Sequence, residues 1–394
     1  MRVLSLDRGW LLLLAGCSLV PSGRMPAVAG AEPSGGGTWQ PGWLEIHHID
    51  AGQASSTLIV GPTGRSMLVD AGEADWEADD GALIVGPYIK NVLGSSHLDT
   101  VLVSHFHLDH TGYPGHGGLW HLFNLQGFTV GKFLHRDFSR YLGENGGTLA
   151  RWRGYLAGEG GTALHPEIAK LGDGQIDLGP GVSVRVVAVD GNGRLSAQGL
   201  AGDPAPPSEN DYSVAFVLRF GLLDYFSGGD LSGETLVSDF GYSYHDIEYV
   251  AAPLAKDVDV YRVSHHGSDH SSSPTFLAEL WPRVDIIEVG DGNPDGHPHQ
   301  AAVDRLAATG ALYLTERGNP DTNLRGGRVV GHVVLRTTDG IDYWVADDHH
   351  VAADPPRVDA DGDGYFQEAD PDDTSPLAVP APRGGTDPAH QASH

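Results

Sequence analysis

The stretch VSHFHLDHTG, Val103 to Gly112, sets His105, His107, Asp109 and His110 within six residues, just after the apolar run DTVLV. One ion cannot easily take all four donors from so short a segment. Histidines at i and i+2 in a strand-end loop can aim at one cation. Asp109 and His110, opening the next helix, can turn toward a second. Imidazole nitrogens and carboxylate oxygens suit zinc, manganese or iron, and donor type alone does not choose among them. The alternative is a solvated histidine-rich loop.

Outward from this segment, from about Trp43, short apolar runs alternate with glycine turns. LEIHHID, STLIVG and SMLVDAG read as consecutive strands, and DGALIVGPYIKNVLG reads as a helix ending near Gly94. DTVLVSHFH is a buried strand running into the histidines. His116 to Lys170 reads as helical segments with a lid-like insertion. VSVRVVAVD, YSVAFVLRFGLLDYFSGGD, VDVYRVSHHGS and VDIIEVG supply further strands, and GHVVLRTTDGIDYWVAD a hairpin around Asp339-Gly340. Grouped strands with helices between them predict an α/β sandwich of mixed sheets.

The pattern H-x-H-x-D-H after an apolar strand resembles the signature of the metallo-β-lactamase fold superfamily. That resemblance implies an αββα sandwich, two mixed sheets with outer helices. In it the Asp70 turn of SMLVDAG buttresses the site, and Asp230 at the end of FSGGD bridges two metals. VSHHGS supplies His265 and His266, of which His265 is assigned to the metal and His266 to the surrounding shell or to acid catalysis. The phrases NDYSVAF followed by GD, HHGS and NPDGHPH resemble the hydrolase domain of the ComEC/Rec2 competence proteins and its extracellular relatives, over roughly Trp43 to Asp347. By that likeness His297 contacts the scissile phosphate or the leaving group.

The sequence also departs from the family pattern. No histidine-bearing PGH-like segment follows VSVRVVAV; Asp190 stands there, with Asn210 and Asp211 as rivals for the first ion's third ligand. A carboxylate at that position would favour manganese over zinc. GQA replaces the family's GQG in the opening strands.

The expectation is a hydrolase using two divalent cations, zinc or manganese, which share Asp230 and a water whose pKa they lower. The resulting hydroxide attacks a phosphodiester, with Asp109, His266 and His297 as catalytic candidates. A choline-phosphate esterase-like enzyme of small phosphodiesters is the alternative, and a surface lipoprotein that binds metal without turnover is a second one.

The formal net charge of −28 repels phosphate backbones, and with no Lys/Arg-rich run it argues against tight nonspecific nucleic-acid binding. The start, MRVLSLDRGWLLLLAGCSLV, resembles a secretory leader ending in a bacterial lipobox, so residues 1–17 are read as a signal peptide with Cys17 as the lipidated residue. A plain signal peptide cut near Ala31 is the alternative. Either way the protein is expected to be exported, as a membrane-anchored lipoprotein or a secreted form. Residues 18–42 would be a flexible tether and 43–347 the hydrolase domain. Residues 348–394 would be an acidic tail in which Asp359, Asp361 and Asp363 resemble the calcium motif of thrombospondin type 3-like repeats, with Pro371 in the place of a usual cysteine. Nothing in the sequence sets the oligomeric state.

Overall fold

The computed structural model describes residues 37–73, 80–137, 139, 147–238, 241–353, 360 and 365–366. Cys17, the leader, Asp359, Asp361 and Asp363 lie outside these residues. The chain opens with β1 (Leu44–His48), β2 (Thr57–Val60), β3 (Ser66–Val69), α1 (Asp80–Leu93) and β4 (His97–Leu102). It continues with α2 (Leu108–Thr111), α3 (Gly118–Asn124), β5 (Thr129–His135), α4 (Thr148–Ala157), α5 (Glu159–Leu164) and β6 (Pro166–Ile168). Next come β7 (Gly172–Asp173), β8 (Val182–Ala188), β9 (Ala215–Phe220), β10 (Leu223–Ser227), a small hairpin of β11 (Leu236–Val237) and β12 (Ser243–Tyr244), and α6 (Glu248–Ala255). β13 (Val260–Arg262), α7 (Pro274–Leu280), β14 (Val284–Ile287), α8 (Gln300–Leu306), β15 (Ala311–Leu314) and β16 (Arg328–Val329) follow. The last strands are β17 (Val333–Thr337), β18 (Asp342–Val345) and β19 (Asp348–Val351).

Among the described residues, one sheet runs β19-β18-β17-β1-β2-β3-β4-β5-β6 and a second runs β16-β15-β14-β13-β10-β9-β8-β7. Each mixes parallel and antiparallel pairs: β3, β4 and β5 are parallel, as are β10, β13, β14 and β15, whereas β1–β2 and β8–β9 are antiparallel. The strands are apolar on both faces, which is why they read as continuous runs in the sequence. Ile46, Ile59, Met67 and Leu102 share one buried cluster with Phe216, Leu218, Val260 and Ile286, the layer between the sheets. Their chain neighbours Leu58, Leu68 and Val101 point the other way, against Val85, Ile89 and Val92 of α1. On the second sheet Val217, Phe226 and Tyr261 cluster with Ala251 and Ala252 of α6 and Phe276 of α7. This is the expected α/β sandwich, helices outside two mixed sheets.

Two stretches differ from the sequence expectation. The segment from His116 to Lys170 is not only a helical insertion: β5 and β6 within it extend the first sheet. The hairpin around Asp339-Gly340 gains a third strand, β19, beyond the point at Asp347 where the apolar pattern stops. β19 pairs with β18 through main-chain bonds, Asp342 opposite Val351, and His350 stacks on Tyr343. An edge strand held by backbone bonds and ring stacking needs no alternating apolar signal. Farther on, the Tyr365 ring is buried against Tyr249 of α6, and its hydroxyl donates to the Tyr249 carbonyl at 2.7 Å.

Site residues follow the carboxyl ends of central strands: Val103 to His110 after β4, Gly228 to Asp230 after β10, Ser264 to His266 after β13, and Glu288 after β14. Asp285, on β14, is a buried carboxyl whose described hydrogen bond comes from the Thr309 hydroxyl at 2.9 Å. Burial pushes its pKa up to about 8 despite that bond. Its stabilising contribution is therefore complete below the unfolded value, near 4, and is lost as pH rises toward 8. Asp285→Asn removes that loss: its melting temperature should match wild type near pH 4 and exceed it increasingly up to pH 8, as read by thermal denaturation across pH.

Candidate active site

The site rests on Asp70, which follows β3 with φ 59°, a left-handed conformation that costs about 1–3 kcal/mol in a non-glycine residue. Its carboxylate holds the metal loop from below. It accepts from the Ser104 amide at 2.8 Å, the Ser104 hydroxyl at 2.6 Å and His110 Nδ1 at 2.8 Å. Gly72, two residues on, lets that turn approach the loop: a Cβ there would lie 1.8 Å from the Asp109 carbonyl oxygen.

These bonds fix the tautomers. With Nδ1–H given to Asp70, His110 turns its Nε2 lone pair inward. The Ser104 hydroxyl spends its hydrogen on Asp70 and accepts from His105 Nδ1 at 3.2 Å, so His105 also presents Nε2. His266 donates from Nδ1 to the Glu288 carbonyl at 2.7 Å and likewise presents Nε2. Such outer bonds orient the ring and settle which nitrogen can ligate a metal.

The presented atoms converge. Ligand atoms of Asp109, His110, Asp230 and His266 all lie within 4.8 Å of one another. His110 Nε2 is 3.1 Å from Asp230 Oδ1, and His266 Nε2 is 3.2 Å from Asp109 Oδ2. Yet His110 Nε2, His266 Nε2 and Asp230 Oδ1 are buried without a well-aligned hydrogen bond. Two imidazoles and two carboxylates turned to one point, all buried except the partly exposed Asp109, fit a divalent cation in chemistry and charge. Burial opposes charge on His110, but Asp230, Asp109 and Asp70 outweigh it and hold its pKa well above the ordinary value. Burial likewise raises Asp230 and Asp109, but the neighbouring histidines, His110 foremost, hold both carboxylates below their usual range.

Beside this cluster, His105 Nε2 and His107 Nδ1 face each other at 3.0 Å. Burial and His110 push the His105 imidazole well below its ordinary value, so it is neutral. Two ring nitrogens so close share either a proton or a cation, which suits the first-ion pair expected from the loop. Asp230 Oδ2 stands 3.9 Å from His105 Nε2 and 3.9 Å from His265 Nε2, between the two sets.

The structure places the twin histidines differently from the expectation that put His265 with the other ligands. His266, not His265, belongs to the compact cluster, because the turn gives both residues left-handed φ (54° and 52°) and splays their rings apart. His265 instead meets the Asn210 amide at 3.3 Å and the His297 ring, edge to face, with centroids 5.3 Å apart. Of the residues weighed as third ligand of the first ion, Asn210 is the one with a described contact to His265. Asp211 is turned away, binding His245 Nδ1 at 2.8 Å, and Asp190 acts electrostatically on Arg136 and Tyr212. Neither belongs to the compact cluster. His297 does reach the site: it stacks on His266 at 6.1 Å, and the Asn293 side chain clamps its amide and its carbonyl, each at 2.8 Å. Burial, with His265 and His266 nearby, keeps its pKa well below the ordinary value.

Several supporting residues escaped the sequence reading. Arg262, buried beneath Asp230, donates from one terminal nitrogen to the Gly229 carbonyl at 2.7 Å and from the other to Ser55 and, at 3.2 Å, to Glu288. Glu288 also accepts from Thr57 at 2.5 Å and pairs with His48 at 2.8 Å. Their available signal was a charged residue inside an otherwise apolar strand run, VYRVS and DIIEV.

The architecture is an α/β sandwich of two mixed sheets, and the donors gathered at its strand ends are a set that could hold divalent cations. No protein-family profile matches the chain. It is 32% identical to the ComE operon protein 3 of Bacillus subtilis over 105 residues, 26% of this chain, and 24% identical to recombination protein 2 of Haemophilus influenzae over 274 residues, 68% of this chain. The alignments span only 12% and 27% of those relatives. Among solved structures it is similar to the metallo-β-lactamase fold protein YhfI of Bacillus subtilis, with 12% identity, a TM-score of 0.42, and coverage of 75% of this chain and 99% of that one. It is also similar to Tm1679, described as a metal-dependent hydrolase of the β-lactamase superfamily, with 15% identity, a TM-score of 0.38, and coverage of 68% and 93%.

The twin histidines make a direct test. His266→Ala should weaken the tighter divalent ion by at least ~100-fold, the scale on which even outer partners of metal ligands matter. His265→Ala should leave that ion in place. Calorimetric titration of chelator-stripped protein with Zn2+ or Mn2+ reads both.

Proposed function

We propose that the chain is a metal-dependent hydrolase of phosphodiesters that works with two divalent cations, one at His105 and His107, the other at Asp109, His110 and His266, with Asp230 between them. The observation that carries this reading is the position of Asp230, one carboxylate oxygen 3.1 Å from His110 Nε2 and the other 3.8–3.9 Å from the Nε2 atoms of His105, His265 and His266, so that it touches both donor sets. When bound, two such cations lower the pKa of a shared water toward neutrality and offset charge on the phosphoryl oxygen. The likeness in sequence order to the ComEC/Rec2 hydrolase domain supports the phosphodiester bond as the target. The net charge of −28 favours small phosphodiesters over long polyanions, the choline-phosphate type of substrate included.

The protein's own groups divide the remaining work. His266 gives its Nδ1–H to the Glu288 carbonyl and turns Nε2 to Asp109 at 3.2 Å, which places it as a ligand rather than as the acid. The role toward the leaving group passes to His297. Held neutral by burial, it offers one N–H and one lone pair, so it hydrogen-bonds a substrate or leaving oxygen rather than delivering a stored proton. Asp109 stays ionised and serves as a ligand. Asp70 and Arg262 hold the loop and Asp230 in register. Export as a lipoprotein through Cys17, and calcium binding by Asp359, Asp361 and Asp363, are parts of the same proposal. Among the described residues no helix is long and apolar enough to cross a membrane.

The test is a panel of bis-p-nitrophenyl phosphate, single-stranded DNA and choline phosphates, assayed after chelation and after return of Zn2+ or Mn2+. Turnover of bis-p-nitrophenyl phosphate should vanish on chelation and return with metal. Asp230→Ala should lower it by roughly 10²–10³-fold, the cost of removing a preorganised electrostatic group. Absence of turnover on every ester would leave metal binding without catalysis as the standing reading.

A further inference from the structure

The loop between the first two histidines is held by a buried ion pair that joins the two sheets. Arg136 follows β5 and Glu209 opens the short turn before β9. Both are fully buried. Arg136 Nε donates to Glu209 Oε1 at 2.6 Å, and a terminal guanidinium nitrogen donates to Oε2. The guanidinium also lies over the Tyr212 ring, 4.5 Å from its centroid. Glu209 Oε1 accepts a second bond, from the Phe106 amide at 3.1 Å. Phe106 is the residue between His105 and His107. Its amide thus belongs to the backbone that joins the two residues whose ring nitrogens face each other at 3.0 Å.

We infer that Glu209, held by Arg136, is a positioning residue for the first ion, setting the His105–His107 pair through the Phe106 amide. The inference rests on the two-ion reading above. The same turn places Asn210 against His265, so consecutive residues reach two parts of the centre. The Asp109, His110, Asp230 and His266 cluster is held by different groups, Asp70 and the Glu288 carbonyl. Loss of the Glu209 contact should therefore weaken one ion and spare the other.

A fixed amide matters here because both histidines must aim from a short loop. A main-chain rotation at Phe106 turns the flanking side chains in different directions and separates Nε2 of His105 from Nδ1 of His107. Glu209 enters from the second sheet, and its carboxylate is gripped by Arg136 at the end of β5, outside the loop it holds. Its charge is compensated by Arg136, whose pKa burial lowers and the Glu209 charge raises, with a net upward shift.

The experiment compares two double variants that both remove the buried charges. Arg136→Met with Glu209→Gln retains an amide oxygen for the Phe106 N–H, and Arg136→Met with Glu209→Met does not. Glu209→Asp serves as a third variant, which keeps the charge pair and withdraws the carboxylate by one methylene. Chelator-stripped proteins are titrated with Mn2+, followed by calorimetry and by the electron paramagnetic resonance of spin-coupled ions, with circular dichroism for the fold. Wild type should take two ions, and a single ion in wild type would refute the two-ion reading itself. The Gln double variant should keep both ions. The Met double variant and Glu209→Asp should lose the weaker ion by about 10–100-fold, with the coupled signal gone and the tighter ion unchanged. Equal isotherms for Glu209→Asp and wild type would overturn the inference, as would equal loss of both ions in Glu209→Asp.

Discussion

Asp230 sits under the whole arrangement as a fully buried carboxylate, and a buried charge is costly by several kcal/mol unless it is paired and hydrogen-bonded. The structure meets this demand from two sides. From below, Arg262 approaches to 3.9 Å and grips the neighbouring Gly229 carbonyl, while Glu288 balances Arg262 and is itself bonded by Thr57 and His48. From above, ring nitrogens of His105, His110, His265 and His266 surround it. The lower half is satisfied by protein groups alone. The upper half is a set of lone pairs, which is why the site calls for cations.

The sandwich makes such a network possible. Arg262 ends β13 and Glu288 follows β14, its parallel neighbour in the second sheet, whereas Ser55, Thr57, His48 and Asp70 come from the first. The charges therefore meet at the seam where the two sheets face each other, shielded from water on both sides. Left-handed residues occur where the chain leaves its strands at this seam: Asp70, His265 and His266, with Gly229 beside them. Strain of that kind persists where the surroundings over-determine the backbone, as the bonds to Asp70 and the His266–Glu288 bond do here.

The placement of His265 and His266 shows how such local geometry governs chemistry. In an extended strand, neighbouring side chains alternate between faces, so one histidine would meet the metal and the next would point away. A turn with both residues left-handed breaks that alternation. His266 then reaches Asp109, and His265 turns to Asn210 and His297, leaving both rings at the centre with different partners.

The strands beside the site, the helix at 80–93, the layered α/β class and the H-x-H-x-D-H donors were legible in the sequence, because continuous apolar runs and donor spacing are local properties. Asp70 and His297 were reached through the family resemblance of SMLVDAG and NPDGHPH rather than from local spacing. What could not be read was which donors share an ion and what holds them. The pairing of Arg136 with Glu209 spans 73 residues, that of Glu288 with His48 spans 240, and the contact of Asn210 with His265 spans 55. β19 and the docking of Tyr365 on Tyr249 were equally invisible, since backbone pairing and ring stacking carry no apolar period. Local spacing fixes which atoms can serve as ligands. Their aim is set by tautomers, buried charge balance and left-handed turns, and these exist only once distant strands have met.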